Sequence, residues 1–524
     1  MTSGKLLIGG CLTSAILVLG GCTTFSRSGA PTLQEEIDRV ILSPPLHQVH
    51  WGILIAEPDR DRILYSRNSQ RKFVPASNMK ILSTATALTL LGPEFRFRTE
   101  LWGVGGLDRA TGVLRGDLVL RAVGDPTLSQ RFYPSAEAPL DSLAAGLRRA
   151  GVREVTGSLV VDVSAWDSTT VPGSWMVGNL SGSSGATGGA FAIGEGELEV
   201  EVTAGPGVGD PAHARWWPSA SPDFFSAAFV TASPDSRGRP ETHYLPESRR
   251  LLLEGGIPLG TVDTFSIAQR SPVEVATSAL IQALERQEIR IDNAVRIAWD
   301  PGQSLGGGTC VTGRMVDWEA LGVPMEERRA PVPGTMVPEC PDAVRLAAIT
   351  SPPLAEIVEG ILEPSQNWMT EQLVHALGME LGRKGSWEEG FQVEEGFLTR
   401  EVGVDSLDIH YRDASGLSAY NLVTPRAMVQ ILAFMRDSPR GELFRNALAE
   451  PGEEDSTLEN RLTNLEGRVF GKTGTISHVN SLSGYLTTES GREIIFSILT
   501  NGSGLPSSQV REGIDAVIQI VARR

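Results

Sequence analysis

The sequence predicts an α/β protein in which one domain is assembled from both ends of the chain, with β-rich domains inserted between its halves. Three observations carry this. Strand and helix patterns near the N-terminus are mirrored near the C-terminus. The long middle stretch changes texture, becoming Gly-rich with short β-like runs. The chain has 524 residues and is 41% hydrophobic, enough for two to four domains with real cores and too apolar for a disordered chain.

Residues 1–22 carry Lys5 and then the apolar run Leu6 to Leu19, the layout of a secretory signal and too short for a convincing permanent span. The segment ends in Leu19-Gly20-Gly21-Cys22, which resembles the lipobox of bacterial lipoproteins. That likeness implies cleavage before Cys22 and acylation there, an anchor stabilised by about 0.8 kcal/mol per buried CH₂. An ordinary secreted signal that happens to hold a Cys is the simpler alternative. Residues 23–32 form a polar tether.

Residues 33–94 begin the first domain. Leu33 to Leu42 reads as an amphipathic helix stopped by Ser43-Pro44-Pro45, followed by β-like runs His50 to Ala56 and Ile63 to Ser66. Pro75-Ala76-Ser77-Asn78-Met79-Lys80 opens a helix that Gly92-Pro93 ends. Residues 95–344 hold β-like runs such as Gly116 to Ala122, Ser158 to Val163 and Leu198 to Val202, with a nested domain at roughly 190–270. One helical segment, Pro272 to Gln287, interrupts them, and Pro301 to Pro341 shows no periodicity and reads as a long loop. Residues 345–524 complete the first domain with helices at Leu354 to Leu362 and Trp368 to Leu381. A hairpin of Ser481 to Thr487 with Ile494 to Thr500 follows, then a last helix presenting Val510, Ile514, Val517, Ile518 and Val521 on one face.

The formal net charge of −17 argues against a nucleic-acid partner, because phosphate repels such a surface. Beyond Cys11 and Cys22, the chain has only Cys310 and Cys340, either a disulfide that staples the loop in an oxidising compartment or two separate thiols. The seven histidines show no metal-ligand spacing, so no metal is expected.

Only five of the 46 basic residues are lysines: Lys5, Lys72, Lys80, Lys384 and Lys472. A lysine that survives such a preference for Arg is a candidate for what Arg cannot do, which is to lose a proton. Ser77-x-x-Lys80 puts a hydroxyl and an amine on one helix face, and a lysine depressed towards neutrality by burial could deprotonate the serine. Ser77 would also sit at a helix N-terminus, where amides favour developing negative charge. Lys472-Thr473-Gly474-Thr475, before the hairpin, reads as an edge strand able to hold a substrate carboxylate. Gly474 leaves room for the ligand, and the Thr475 amide pairs with that of Ser77 as an oxyanion donor. Ser365-Gln366-Asn367, between two helices, offers a proton-relaying hydroxyl and an amide to orient Lys80. Singly these motifs are weak, and a solvated helix face, a strand start or a helix cap would explain each.

Together and in this order, Ser-x-x-Lys, Ser-x-Asn and Lys-Thr-Gly resemble the three elements of penicillin-binding proteins and serine β-lactamases. Trp51-Gly52-Ile53, Phe73 to Lys80, Leu118-Val119-Leu120-Arg121 with Gly124-Asp125-Pro126-Thr127, Ser351-Pro352-Pro353-Leu354 and Asp413-Ala414-Ser415-Gly416-Leu417-Ser418 narrow the likeness. They resemble the D-alanyl-D-alanine carboxypeptidase/endopeptidase family, the low-molecular-mass class C penicillin-binding proteins. The resemblance implies a serine transpeptidase-like domain, an antiparallel sheet flanked by helices, with two domains inserted between the first and second motifs. Ser365 follows Ser77 by 288 positions, which accommodates both. It further implies hydrolysis of D-Ala-D-Ala ends and cross-links of peptidoglycan peptides through an acyl-enzyme, with β-lactams as inhibitors and no cofactor. Residue by residue, Ser77 becomes the nucleophile, Lys80 the base, Ser365 and Asn367 relay and orientation, and Lys472, Thr473 and Thr475 the carboxylate site. The sequence departs from the pattern at Ala414, where the family usually has Gly, and at His478, near where a Gly commonly follows the third motif. A β-lactamase on the same fold and a catalytically silent peptidoglycan-binding envelope lipoprotein are the alternatives.

Overall fold

The computed structural model describes residues 31–218, 225–236, 238, 240–248, 250–299 and 343–524. Cys22, Cys310 and Cys340 lie outside the described residues. Five antiparallel strands from both ends of the chain form one sheet, in the order Val469–Ile476, Val479–Thr487, Glu493–Asn501, His50–Glu57 and Arg62–Arg67. The two-residue period of a strand explains how it holds two layers at once. On Glu493–Asn501, Ile494, Phe496 and Ile498 face one core, whereas Ile495 and Leu499 face the other. Leu33–Ile41 and Ser507–Ala522 cover the first face, with Ile37, Ile41, Val510, Ile514 and Val517 packed inward. Thr32 starts the first of these helices with a reciprocal capping box to Glu35.

The second face carries Met79–Leu90, Leu354–Leu362, Asn367–Leu381 and Pro425–Asp437. Met79–Leu90 is enclosed on all sides, every residue from Met79 to Leu88 being buried. Two of its buried threonines return their hydroxyls to the helix itself. Thr84 Oγ1 donates to Lys80 O at 2.6 Å and Thr86 Oγ1 to Leu82 O at 2.8 Å, so neither is left unpaired in the core.

Among the described residues, the inserted part has two large cores of its own and a small cluster of Val119, Val160 and Ala298. A seven-stranded sheet includes the hairpin Arg98–Asp108 and Val113–Arg121, and parallel partners Leu159–Asp162 and Val295–Ala298. Two helices pack on it, Ala138–Arg149 and Pro272–Arg286. The first was not anticipated from the sequence, although Leu140, Leu143, Ala144 and Leu147 recur at helical spacing and are buried. Parallel strand pairs require such crossovers, and a reading of this stretch as β-rich alone is incomplete. The expected boundary at 344 also moves, because Ala343–Thr350 pairs with Arg98–Asp108 and belongs to the inserted sheet. Two three-stranded sheets enclose the nested core of Leu198, Val200, Val202, Phe229, Leu251, Leu253, Ile257 and Ile267.

Candidate active site

Ser77 sits in the 3₁₀ turn Ala76–Asn78 that runs directly into Met79–Leu90. Ala76 has φ of 49°, a left-handed conformation that a side chain adopts only under constraint. The constraint comes from the sheet. Ser481 Oγ donates to Pro75 O at 2.7 Å, and Asn78 Nδ2 donates to Lys472 O at 2.8 Å. Asn501 brackets Val74, accepting from its N–H at 2.9 Å and donating to its carbonyl at 3.0 Å. Two glycines let neighbouring backbone press against the turn. A Cβ on Gly474 would lie 2.9 Å from Ser77 N, and one on Gly416 would lie 1.9 Å from Ala76 O.

Lys80 Nζ is fully engaged: it donates to Ser77 Oγ at 2.9 Å, Asn367 Oδ1 at 2.7 Å and Ser415 O at 2.8 Å. The residue is 0% exposed. Burial pushes the amine down to about 7, with the negative charges of Glu371 and Asp413 pulling the other way. An amine that is half deprotonated near neutral pH and touches a serine hydroxyl is placed to exchange a proton with it.

Lys472 is equally buried, on the strand Val469–Ile476 at the edge of the sheet. Its Nζ donates to Thr473 O at 3.2 Å, and burial followed by the charge of Lys80 drives it well below the ordinary lysine range. Thr473 is buried and Thr475 is exposed, its Oγ1 3.5 Å from Asn480 Oδ1. His478 stands exposed in the turn after this strand with φ of 63°, a position suited to Gly. An edge strand has backbone donors and acceptors free for an extended peptide, and this one runs past Ser77.

The second motif behaves differently at its two ends. Asn367 reaches Lys80, and its Nδ2 donates to Ser184 O of the inserted part at 2.9 Å. Ser365 has φ of 68° and lies in a groove shared with Arg131, Ser183, Ser184, Glu195 and Glu197. Among the described residues its hydroxyl bonds to neither lysine, so the expected relay is not assembled as a direct contact. The residue between them explains the loop's orientation. Gln366 caps the helix Asn367–Leu381 through Met369 N and donates its Nε2 to Glu195 Oε2 at 2.5 Å. Glu195 in turn holds Arg131 with two bonds, at 2.7 and 3.0 Å.

Four residues to which the sequence assigned no role complete the site. Glu371 and Asp413 are buried carboxylates that organise the loop offering Ser415 O to Lys80. Glu371 accepts from Ser415 N at 2.8 Å, Ala414 N at 3.1 Å and Trp387 Nε1 at 2.7 Å. Asp413 accepts from Gly416 N at 2.8 Å, Ser418 N at 2.5 Å, Asn421 Nδ2 at 2.6 Å and Trp175 Nε1 at 2.7 Å. Glu371 follows Asn367 by one helical turn, a signal that was present in the sequence. No sequence spacing connects Trp175 with Asp413, 238 residues on.

A serine touching a buried lysine, a second buried amine and an edge strand beside them fit the class of serine hydrolases. A model of the D-Ala-D-Ala carboxypeptidase 3 (S13) family matches residues 33–305 and 334–524, and the chain belongs to that family. The match pauses between 305 and 334, within the stretch whose sequence lacks periodicity. The chain is 30% identical to a D-alanyl-D-alanine carboxypeptidase of an Actinomadura species over 91% of this chain and 82% of that one. It is 22% identical to the D-alanyl-D-alanine carboxypeptidase DacB of Haemophilus influenzae over 86% of this chain and 85% of that one. The crystal structure of penicillin binding protein 4 (dacB) from Haemophilus influenzae superposes with a TM-score of 0.75 at 19% identity. It covers 93% of this chain and 99% of that one, so the fold is shared.

Proposed function

We propose that this protein is a serine D-Ala-D-Ala carboxypeptidase and endopeptidase of peptidoglycan peptides, with Ser77 as nucleophile and Lys80 as base. The single observation that supports this most is the 2.9 Å contact between Lys80 Nζ and Ser77 Oγ, made by an amine that burial brings to about 7. The Ser77 oxygen attacks the carbonyl of the penultimate D-Ala while Lys80 takes the hydroxyl proton. The tetrahedral oxyanion is held by the amides of Ser77 and Thr475. Collapse returns the proton to the departing amine and leaves an acyl group on Ser77, which water then removes. Lys472, Thr473 and Thr475 bind the terminal carboxylate, with Gly474 admitting the peptide backbone. Asn367 orients Lys80, and Ser365 is the proton-relaying hydroxyl of the second motif. In this reading β-lactams acylate the same serine.

Residues 33–94 and the C-terminal part after Thr350 form the peptidase domain, and the residues between them form the inserted domains. The N-terminal segment directs export, and acylated Cys22 anchors the mature protein at the cell envelope, in the outer membrane where the cell has one. Support comes from the Leu19-Gly20-Gly21-Cys22 sequence and its apolar run. Export to an oxidising compartment would permit a Cys310–Cys340 disulfide.

Digestion of purified muropeptides, with products resolved by mass, tests the reaction. Wild type is expected to release D-Ala and split cross-links, and Ser77→Ala to do neither and to lose labelling by fluorescent penicillin. Labelling that persists in Ser77→Ala would exclude Ser77 as nucleophile, and rapid turnover of penicillin would make the enzyme a β-lactamase. Cys22→Ala is expected to move the protein from the membrane fraction to the soluble one.

A further inference from the structure

Ser77 lies on one side of Lys80, 2.9 Å from its amine. The lysine's other surroundings are as ordered. The amine donates to Ser415 O, and the N–H of that same residue is held by Glu371 Oε1 at 2.8 Å. The preceding amide, Ala414 N, and the indole of Trp387 both bond to the other oxygen of the carboxylate. Every donor to Glu371 thus fixes either the peptide that meets Lys80 or the carboxylate itself.

We propose that Glu371 is a positioning residue of the reaction, holding the Ala414 and Ser415 peptides so that the Ser415 carbonyl meets Lys80 and placing a negative charge behind the amine. The inference rests on the acyl-transfer reading in which Lys80 is the base. Its physical need is clear. Burial alone would drive Lys80 far down, making it a weak base. The charges of Glu371 and then Asp413 raise it back towards neutrality, where a base is strong enough to take a serine proton and still half deprotonated.

The groups facing this pair are few. Lys80 meets Glu371 from the helix Asn367–Leu381, Asp413 from the loop and Lys472 from the edge strand. Behind Glu371, His375 on the same helix is held down to about 4 by burial and is neutral. Glu394, on the helix Trp387–Arg400, is pushed up to about 8 by burial, so it too is largely uncharged at neutral pH. Burial and Asp413 push the Glu371 carboxyl upward, and the hydrogen bonds from Ser415, Trp387 and Ala414 oppose them. Burial and Asp413 win, at about 7, so the bonds preserve the geometry and a part of the negative charge at neutral pH.

The test is the pH profile of Ser77 acylation by a penicillin, measured as a second-order rate in wild type, Glu371→Gln and Trp387→Phe. The wild-type rate should rise with pH through a limb centred near the Lys80 value of about 7. Removing the anion makes the ammonium less favourable, so Lys80 falls further. The limb in Glu371→Gln should move to lower pH by about one unit, and the plateau rate should fall about tenfold because the base is weaker and its peptide partner looser. Trp387→Phe removes one donor that favours the charged carboxylate, so its limb should move the same way by less. It also carries the test if Glu371→Gln does not fold. A folded variant whose limb coincides with that of wild type, or moves to higher pH, overturns the inference. A wild type that is not acylated overturns the acyl-transfer reading and the inference with it, whereas acylated proteins with unmoved limbs overturn the inference alone.

Discussion

Lys472 donates one hydrogen bond, to the carbonyl of its neighbour Thr473, from a position that is 0% exposed. Such an amine is costly to the free enzyme, because burial and then Lys80 penalise its charge and little in the fold repays it. Lys472→Met is therefore expected to raise the melting temperature by a few degrees, corresponding to about 1–2 kcal/mol, while reducing turnover of D-Ala-D-Ala peptides at least about a hundredfold. The sign follows from linkage: the amine is protonated in the unfolded chain up to 10.5 but depressed in the fold. Its destabilising effect is complete below the depressed value and fades as pH rises towards 10.5, so the gain from Met should be largest on the acid side and shrink steadily as pH rises. Thermal unfolding at several pH values checks this, and a variant no more stable than wild type would show that the charge is better compensated than its single bond indicates. This residue was legible in the sequence because lysine is so scarce. Glu371 was not singled out, and Asp413 entered only as the start of a family-like segment with no role attached, since acidic residues are common here and their meaning lies in which amides they accept from.

At the scale of elements, the sheet's edge strand and the turn of Ser77 are fitted across a gap that only Gly474 permits. A Cβ there would lie 2.2 Å from Ser481 Oγ and 2.8 Å from Pro75 O, both of which are part of the bond that pins the turn. Gly474→Ala is expected to cost about 1–3 kcal/mol and to slow acylation about a hundredfold, as strand and turn move apart. Chemical denaturation together with acylation rate checks this, and near-normal acylation would mean that the oxyanion geometry tolerates the displacement. The sequence predicted this hairpin and the two terminal helices because their apolar positions recur with clear periods. Met79–Leu90 was legible through its flanks, Pro75 and Gly92-Pro93, more than through a face, since it is buried all round. Ser365 shows the limit of motif reading. Its spacing to Asn367 marked the loop, but its left-handed φ and the Gln366 bond to Glu195 decide where the hydroxyl lies.

At the scale of the whole molecule, the inserted part is joined to the chemistry through side chains as well as peptide links. Trp175 crosses from it to give Asp413 Oδ2 an indole N–H at 2.7 Å, next to the exposed Met176 and Val177 at the surface. Asp413 anchors the loop whose Ser415 carbonyl binds Lys80 and whose Gly416 packs on Ala76. The placement of the inserted part thus bears on Lys80 and on the turn of Ser77 together, a dependence that sequence spacing could not reveal. A hydrogen bond to a charged acceptor is worth about 1.5–3 kcal/mol, and Asp413 retains three donors when Trp175 is lost. Trp175→Phe keeps the ring and removes only that donor, so the two cores should persist with a melting temperature lowered by at most a few degrees. If the loop transmits the loss to Lys80, acylation should fall about tenfold, the equivalent of about 1.4 kcal/mol in the barrier. Penicillin acylation measured beside thermal unfolding separates the outcomes. A rate unchanged within twofold would mean that Asp413 holds the loop without help from the inserted part, and that the catalytic centre is organised by the peptidase domain alone.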